Sequence, residues 1–319
     1  MLTFIIRRLL IVFPMLIIIS FLVYLGLELT PGDAVSHMIN PEIANQISPE
    51  QLLALRENLG LNKPFIERYF IWLSHVLRGD FGHSLSGGVA ISEIVFDRLP
   101  ATLELSFVAI VFSTIFGCVL GIFGALNKGT WTDSTLSVTG MLGISIPEFF
   151  FGLVAILLFA LHLHWLPVGG RLLPGYDSFF DRIPHLVLPG LVMSLMMTAG
   201  VMRYSRSAML DSLSREFIRT ARAKGLSEWR INFIHGFRVA LTPVVVLIGF
   251  RLPIMIGGSV IIEQVFQWPG IGNEFVFAVR GQDYPLVMMI ALLSVFAVLI
   301  SSLVIDVLTA LIDPRIRLN

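Results

Sequence analysis

Six stretches of this chain are apolar for long enough to cross a lipid bilayer, and no other feature restricts its fold as strongly. They lie near Leu9–Leu29, Pro100–Leu126, Thr135–Leu161, Leu186–Met202, Val239–Ile262 and Leu286–Ile312. About 20 helical residues span the hydrocarbon, where an unpaired backbone group is too costly to tolerate, so each stretch is expected to be a helix. With 55% hydrophobic against 14% charged residues and a mean hydropathy of +0.84, most of the chain has lipid as its natural surroundings. The expected fold class is an all-α integral membrane protein with six transmembrane helices.

Charge placement predicts the topology. Arg7 and Arg8 precede an apolar run that looks like a signal peptide but has no small-x-small cleavage site before Glu28, so a retained first span is expected. Lys128, the run from Arg203 to Arg238, and Arg315 with Arg317 then fall on the same side as Arg7 and Arg8. The positive-inside rule puts that side, and both termini, in the cytoplasm. On the other side Arg171 and Arg182 are balanced by Asp177 and Asp181, and Arg280 is outweighed by Glu263, Glu274 and Asp283. Formal net charge is zero, which gives no nucleic-acid signal. The single cysteine, Cys118, sits in an apolar stretch, where its expected role is packing.

The chain divides into residues 1–29 (N-terminus and first span), 30–99 (an extracytoplasmic segment with two amphipathic helices) and 100–319 (a five-span core containing a cytoplasmic loop, 203–238). In the outer segment Ser48-Pro49-Glu50-Gln51 is a capping box ahead of Leu52, Leu53, Leu55 and Leu59, and Gly60 closes that helix. A second helix is predicted from Pro64 to Gly79. Its Phe65, Tyr69, Trp72 and Val76 suit either a helix lying at the membrane surface or the core of a small subdomain. In the second span Gly117, Gly121 and Ala125 recur every four residues and mark a close helix contact, within the chain or between subunits. His162 and His164 sit two residues apart, which turns their rings to different faces. They read as helix-end histidines, and no metal site is expected.

Proline interrupts the third and fifth spans at Pro147, Pro243 and Pro253, with Glu148 and Arg251 beside the breaks. An ionisable residue in mid-membrane costs roughly 2.5–3.5 kcal/mol on insertion scales, so both should face a pathway or pair with each other. Counting helix rise from the cytoplasmic ends puts Glu148 ~20 Å and Arg251 ~18 Å deep, close enough in level to meet. They are candidate translocation-pathway residues, or alternatively a packing ion pair.

The most charged island in the core is Arg219-Thr220-Ala221-Arg222-Ala223-Lys224-Gly225, followed by Leu226-Ser227-Glu228. A short helix from Glu216 to Lys224 is expected, with Gly225 in the left-handed position past its end and Leu226 packing back on Ala221. Small Ala221 and Ala223 beside Gly225 would leave a slot for another protein, ringed by Arg219, Arg222 and Lys224. Read alone, the island is equally a solvated loop. Its wording resembles the coupling loop of ABC-importer membrane subunits, whose Glu-Ala-Ala opening is here Arg219-Thr220-Ala221. Thr220-Ala221-Arg222-Ala223-Lys224-Gly225 is similar to the peptide and nickel importer permeases in particular. Arg78-Gly79-Asp80-Phe81-Gly82, Leu99 to Leu105, Trp268-Pro269-Gly270-Ile271-Gly272 and Asp313-Pro314-Arg315 resemble the same family.

The resemblance implies a type I ABC importer permease fold in a bacterial or archaeal inner membrane. It further implies a second homologous permease, two ATPase subunits, an extracytoplasmic solute-binding protein, and Arg219 to Gly225 as the ATPase-coupling residues. The chain has no Gly-Lys step, and hence no phosphate-binding loop. It is therefore expected to bind no cofactor and to have no catalytic residue, with ATP and Mg used by the partner ATPases. Peptides are the expected solute, with nickel or another small solute as the alternative. A secondary transporter would need inverted repeats and its own coupling acids, and no repeat is apparent between the halves.

Overall fold

The computed structural model describes residues 2–29, 62–172, 178–251 and 259–312. The capping-box helix at Ser48–Gly60, Pro253 and Asp313-Pro314-Arg315 lie outside them. Among the described residues the secondary structure is helical apart from one isolated antiparallel bridge between His83 and Ala90.

Helix α1 (Leu2–Glu28) is followed by α2 (Phe65–Leu77), α3 (Ile91–Leu126), α4 (Trp131–Ser145) and α5 (Glu148–Ala155). Then come α6 (Phe179–Ser214), α7 (Glu216–Ala223), α8 (Phe237–Gly249), α9 (Val260–Val265), α10 (Ile271–Arg280) and α11 (Tyr284–Ile312). Wider π-type turns extend α5 over Ile156–His162 and lead into α8 over Arg230–Gly236. Among the described residues four helices are long and apolar enough to cross a membrane: Ile91–Leu126, Phe180–Ser214, Arg230–Gly249 and Tyr284–Val307. Trp131–Gly143 and Glu148–His162 meet at a bend of 97° and make a fifth if counted as one span, while the apolar Leu10–Gly26 of α1 is shorter. This is an all-helical, multi-pass membrane protein.

The span boundaries differ from the hydropathy reading where proline or charge was taken as an edge. The second span begins at Ile91, not Pro100, because Pro100 lies inside a continuous helix. The fourth runs on to Ser214 through Arg203 and Arg206, with Pro184 and Pro189 in its first turns. The third is divided where Ile146 and Pro147 adopt extended backbone, as the residue before a proline prefers. The fifth ends at Gly249, and the helical chain next described starts at Val260.

The most extensive packing joins α3 to α6. A Cβ on Gly117 would lie 2.5 Å from the Val201 Cβ, and one on Gly121 only 2.6 Å from the Met202 carbonyl oxygen. The four-residue glycine spacing is thus an internal contact in which two backbones touch. Cys118 is buried in the same seam with Val201 and Val244. Asp133 of α4 locks on from the side through two hydrogen bonds donated by Arg206, at 2.6 and 2.7 Å.

Helix α2 packs on the end of α1. Tyr69 is buried among Phe21, Tyr24 and Trp72, its hydroxyl shared with Ser20, and Arg68 pairs with Glu28. Its other side leaves Ile66, Phe70 and Leu77 exposed. One face of this amphipathic helix is thus packed in the protein and the other is exposed apolar surface.

Candidate functional site

At the end of α6 the chain takes one extended residue, Arg215, and turns into α7. The helix is amphipathic over two turns: Ile218 and Ala221 face inward against Ile231, flanked by Leu213 and Leu226. It closes as expected. Gly225 has φ +72°, its N–H bonds to the Arg222 carbonyl at 2.9 Å, and the Leu226 N–H reaches the Ala221 carbonyl at 3.3 Å. This pair of bonds with the Leu226–Ala221 contact is a Schellman ending, which needs the left-handed residue that glycine supplies. The next helical turn opens where Ser227 accepts the Ile231 N–H.

The geometry revises the expected slot. Ala221 is buried against the protein's own core, so it sets the spacing of α7 and does not face outward. The outward surface is made by Arg219, Thr220, Arg222, Ala223, Lys224 and Gly225, and a Cβ on Gly225 would meet nothing within 4 Å. Arg222 crosses the turn to Glu228 with two hydrogen bonds, at 2.9 and 3.2 Å, while Arg219 pairs with Glu216 at 2.8 Å. The hydrogen bond from Arg222, helped by its charge, holds the Glu228 carboxyl below its usual range. Phe217 and Trp229 add exposed aromatic surface beside the charges. The charge pattern did not single them out, although aromatics flanking an arginine-rich helix are the available signal.

This surface is firmly anchored. Ser212 near the end of α6 donates to the Gly236 carbonyl at 2.9 Å, and Gly236 packs on Leu213 and Met209. A displacement of α7 would therefore pass directly into α6, which extends about 54 Å by helix rise, and into α8.

The second pair of candidates is not brought together. Glu148 opens α5 and Arg251 follows the end of α8, yet among the described residues no hydrogen bond or ion pair joins them. The Arg251 guanidinium instead lies against Gly200 of α6, where a Cβ would come within 2.6 Å of Nη2. Equal depth along two spans does not fix the rotation of either helix, and here that rotation decides the outcome.

Three of the acids counted on the outer side, Glu263, Asp283 and Glu274, are bound within the protein. Glu263 is fully buried: Thr102 of α3 donates to one carboxylate oxygen at 2.9 Å and the Asn273 N–H to the other at 2.8 Å. Thr102 accepts the Ile271 N–H in turn, the Trp268 indole donates to the Ala101 carbonyl, and Gly270 leaves no room for a Cβ beside Glu263. Asp283, also fully buried, takes Ser84 and Ser86. Glu274 pairs with Arg98. Glu104, not Asp181, receives Arg171 and Arg182. His164 contacts the His162 carbonyl, and among the described residues no group of three metal-ligating side chains gathers.

Two family models match the chain: the N-terminal part of a binding-protein-dependent transport system membrane component over residues 1–106, and the inner membrane component of the same systems over residues 117–318. The oligopeptide transport system permease protein AppB of Bacillus subtilis is 40% identical, the alignment covering 99% of this chain and all of that one. The di/tripeptide permease protein DppB of Pseudomonas aeruginosa and the glutathione permease protein GsiC of Salmonella typhi are each 35% identical over 99% of both chains. Among solved structures, a chain of the MetNI methionine ABC transporter in an inward-facing conformation superposes with a TM-score of 0.57 at 16% identity. The match covers 70% of this chain and 97% of that one, a likeness of fold. With family models on both halves and relatives matched end to end, the chain belongs to the inner membrane components of binding-protein-dependent ABC importers, as the permease that works with a binding protein and an ATPase.

Proposed function

We propose that this chain is one half of the translocation pathway of a peptide importer, pairing with a second, homologous permease on two ATPase subunits. The observation that carries the reading is α7: a short helix with a buried inner face, a Schellman end and an outward surface of Arg219, Thr220, Arg222, Ala223, Lys224 and Gly225, fixed to α6 and α8. ATP and Mg, held by the partner ATPases, drive their closure. That closure moves α7 as a lever, and α6 and α8 turn the permease pair from inward-facing to outward-facing. Glu148 and Arg251, at the breaks of two spans and unpaired with each other, face the pathway between the two permeases.

In this reading six spans put both termini on one side, and the Lys and Arg excess makes that side, with the coupling surface, cytoplasmic. The four long helices, the bent pair and α1 support that count. The relatives' names support peptides over nickel, since the oligopeptide, di/tripeptide and glutathione permeases all serve peptidic solutes. The test is gentle affinity purification from native membranes with an ATPase assay. A second permease and ATPase chains should co-purify, with activity raised by a peptide-loaded binding protein. Recovery of the chain alone, under conditions that keep such complexes intact, would remove α7 as a coupling element.

A further inference from the structure

Between α1 and α11 lies an apolar cavity of about 260 Å³ that none of the preceding assignments uses. Val23 and Gly26 line it from α1, Tyr284, Val287, Met288 and Ala291 from α11, and Val279 and Gln282 from the end of α10 and the turn that follows. From Tyr284 to Ala291 it follows α11 for about 10 Å of helix rise, roughly two turns into the span. It lies between two membrane helices, and the surface flanking it is apolar and exposed at Ile18 and Leu22 of α1 and Phe277 and Val279 of α10. The cavity is thus continuous with the surface that faces lipid.

At the α10 end of the cavity the chemistry changes. Arg280 is exposed at the end of α10, between two residues that line the cavity, and no acid pairs with it among the described residues. Nearby cations are engaged: Arg68 by Glu28 and Arg98 by Glu274. A helix with an apolar outer face and a cation at the membrane border suits the phosphate of a phospholipid. Apolar contact gains little over bulk lipid inside a bilayer, so any preference must come from the fit of one chain and from the headgroup charge.

We propose that the cleft between α1 and α11 holds one acyl chain of an anionic phospholipid whose phosphate is bound by Arg280. The site depends neither on the solute carried nor on which leaflet this end faces. Gly26 supplies a clean test, because a Cβ there meets nothing within 4 Å and a larger side chain would enter the cavity without disturbing the packing.

The experiment uses the purified importer complex and phosphatidylglycerol carrying a diazirine in its acyl chain. Labelled peptides from α1 and α11 are read by mass spectrometry, with unlabelled phosphatidylglycerol or phosphatidylcholine as competitor. Saturable labelling near Gly26 and Ala291 is expected, displaced several-fold better by phosphatidylglycerol. Gly26→Phe should abolish the saturable part, Arg280→Gln should erase the headgroup preference, and Arg280→Lys should keep it. Labelling that does not saturate, or that survives Gly26→Phe, would mean ordinary contact with bulk lipid and overturn the site. No labelling in the complex, with labelling in the separated chain, would make the cleft a subunit interface and overturn it equally.

Discussion

Replacing Gly225 separates the backbone role of this residue from the docking role proposed for its surroundings. The residue has φ +72°, a conformation that costs an ordinary L-residue about 1–2 kcal/mol and Asn or Asp less. Its Cβ would touch nothing within 4 Å, so no steric penalty adds to that figure. Against a typical total of about 5–15 kcal/mol, the cost loosens the Schellman turn by roughly 5–30-fold without unfolding the chain. Gly225→Ala should therefore insert normally, lose at most a few degrees of melting temperature in detergent, and retain most of its uptake. Gly225→Asp carries no larger backbone cost but places a carboxylate on the outward surface beside Lys224. We expect ATP-driven uptake in vesicles to fall more than tenfold while assembly of the spans matches that of the alanine variant. Gly225→Asn, equally bulky and uncharged, shows how much of the loss is charge. If the aspartate variant transported as well as the alanine variant, the outward face would not be a docking surface. Equal failure of both would mean that turn geometry, and not the surface, governs coupling.

Thr102→Val removes the donor to Glu263 and the acceptor for the Ile271 N–H at once. Each buried group left unpaired costs about 1–3 kcal/mol, so a clear fall in melting temperature is expected, and Thr102→Ser should recover most of it; an unchanged melting curve refutes the cradle. The Arg222–Glu228 bridge should respond to acid. The Glu228 carboxyl is held below its ordinary value, so its contribution is complete above the unfolded value, near 4.3, and vanishes as pH falls through the lowered one. The protection of the Gly225–Ile231 amides, taken relative to the intrinsic exchange rate at each pH, should thus fall on acidification through that window, and Glu228→Gln should show the lower protection already at neutral pH and lose the acid dependence. For Glu148 and Arg251, proposed above to face the pathway, Glu148→Gln and Arg251→Gln should each reduce uptake and combine additively within about 0.5 kcal/mol of transition-state free energy. The reversed pair Glu148→Arg with Arg251→Glu should not rescue. Rescue would show a direct pair that forms in another state of the cycle.

The parts of this molecule that were legible in its sequence are those whose signal is local. Gly225 after an alternation of Ala and basic residues announced a left-handed helix end because the three-dimensional partners, the Ala221 and Arg222 carbonyls, lie within the same turn. Gly117 and Gly121 announced a close approach, since small residues at four-residue spacing have few other uses in an apolar helix. The identity of the touching helix, α6, had no sequence signature. Proline misled as a marker of edges and breaks because membrane helices accommodate it: Pro100 and Pro243 lie inside helices, whereas at Pro147 the chain bends by 97°.

A count of charges by side carries no information on which of them are buried. A sum over residues gives Glu263 and Asp283 the weight of surface acids, whereas both are closed off from solvent, and Glu104, which that sum left out, is claimed by two arginines. Burying a carboxylate is costly unless each oxygen receives a donor. Glu263 meets that condition only because Thr102, 161 positions away, and the Asn273 N–H are brought to it by the turn at Trp268–Gly272. The clustering of Trp268, Gly270 and Gly272 near an acid was therefore the readable trace of a buried site. Glycine clears the space at Gly270, and Trp268 fixes the turn on Ala101. The consequence for transport is mechanical. The α9–α10 hairpin is bonded to α3, α3 is in backbone contact with α6, and α6 carries α7. If α7 is the coupling element proposed above, a movement imposed there has a path of close contacts among the described residues, through α6 and α3, to the turn between α9 and α10.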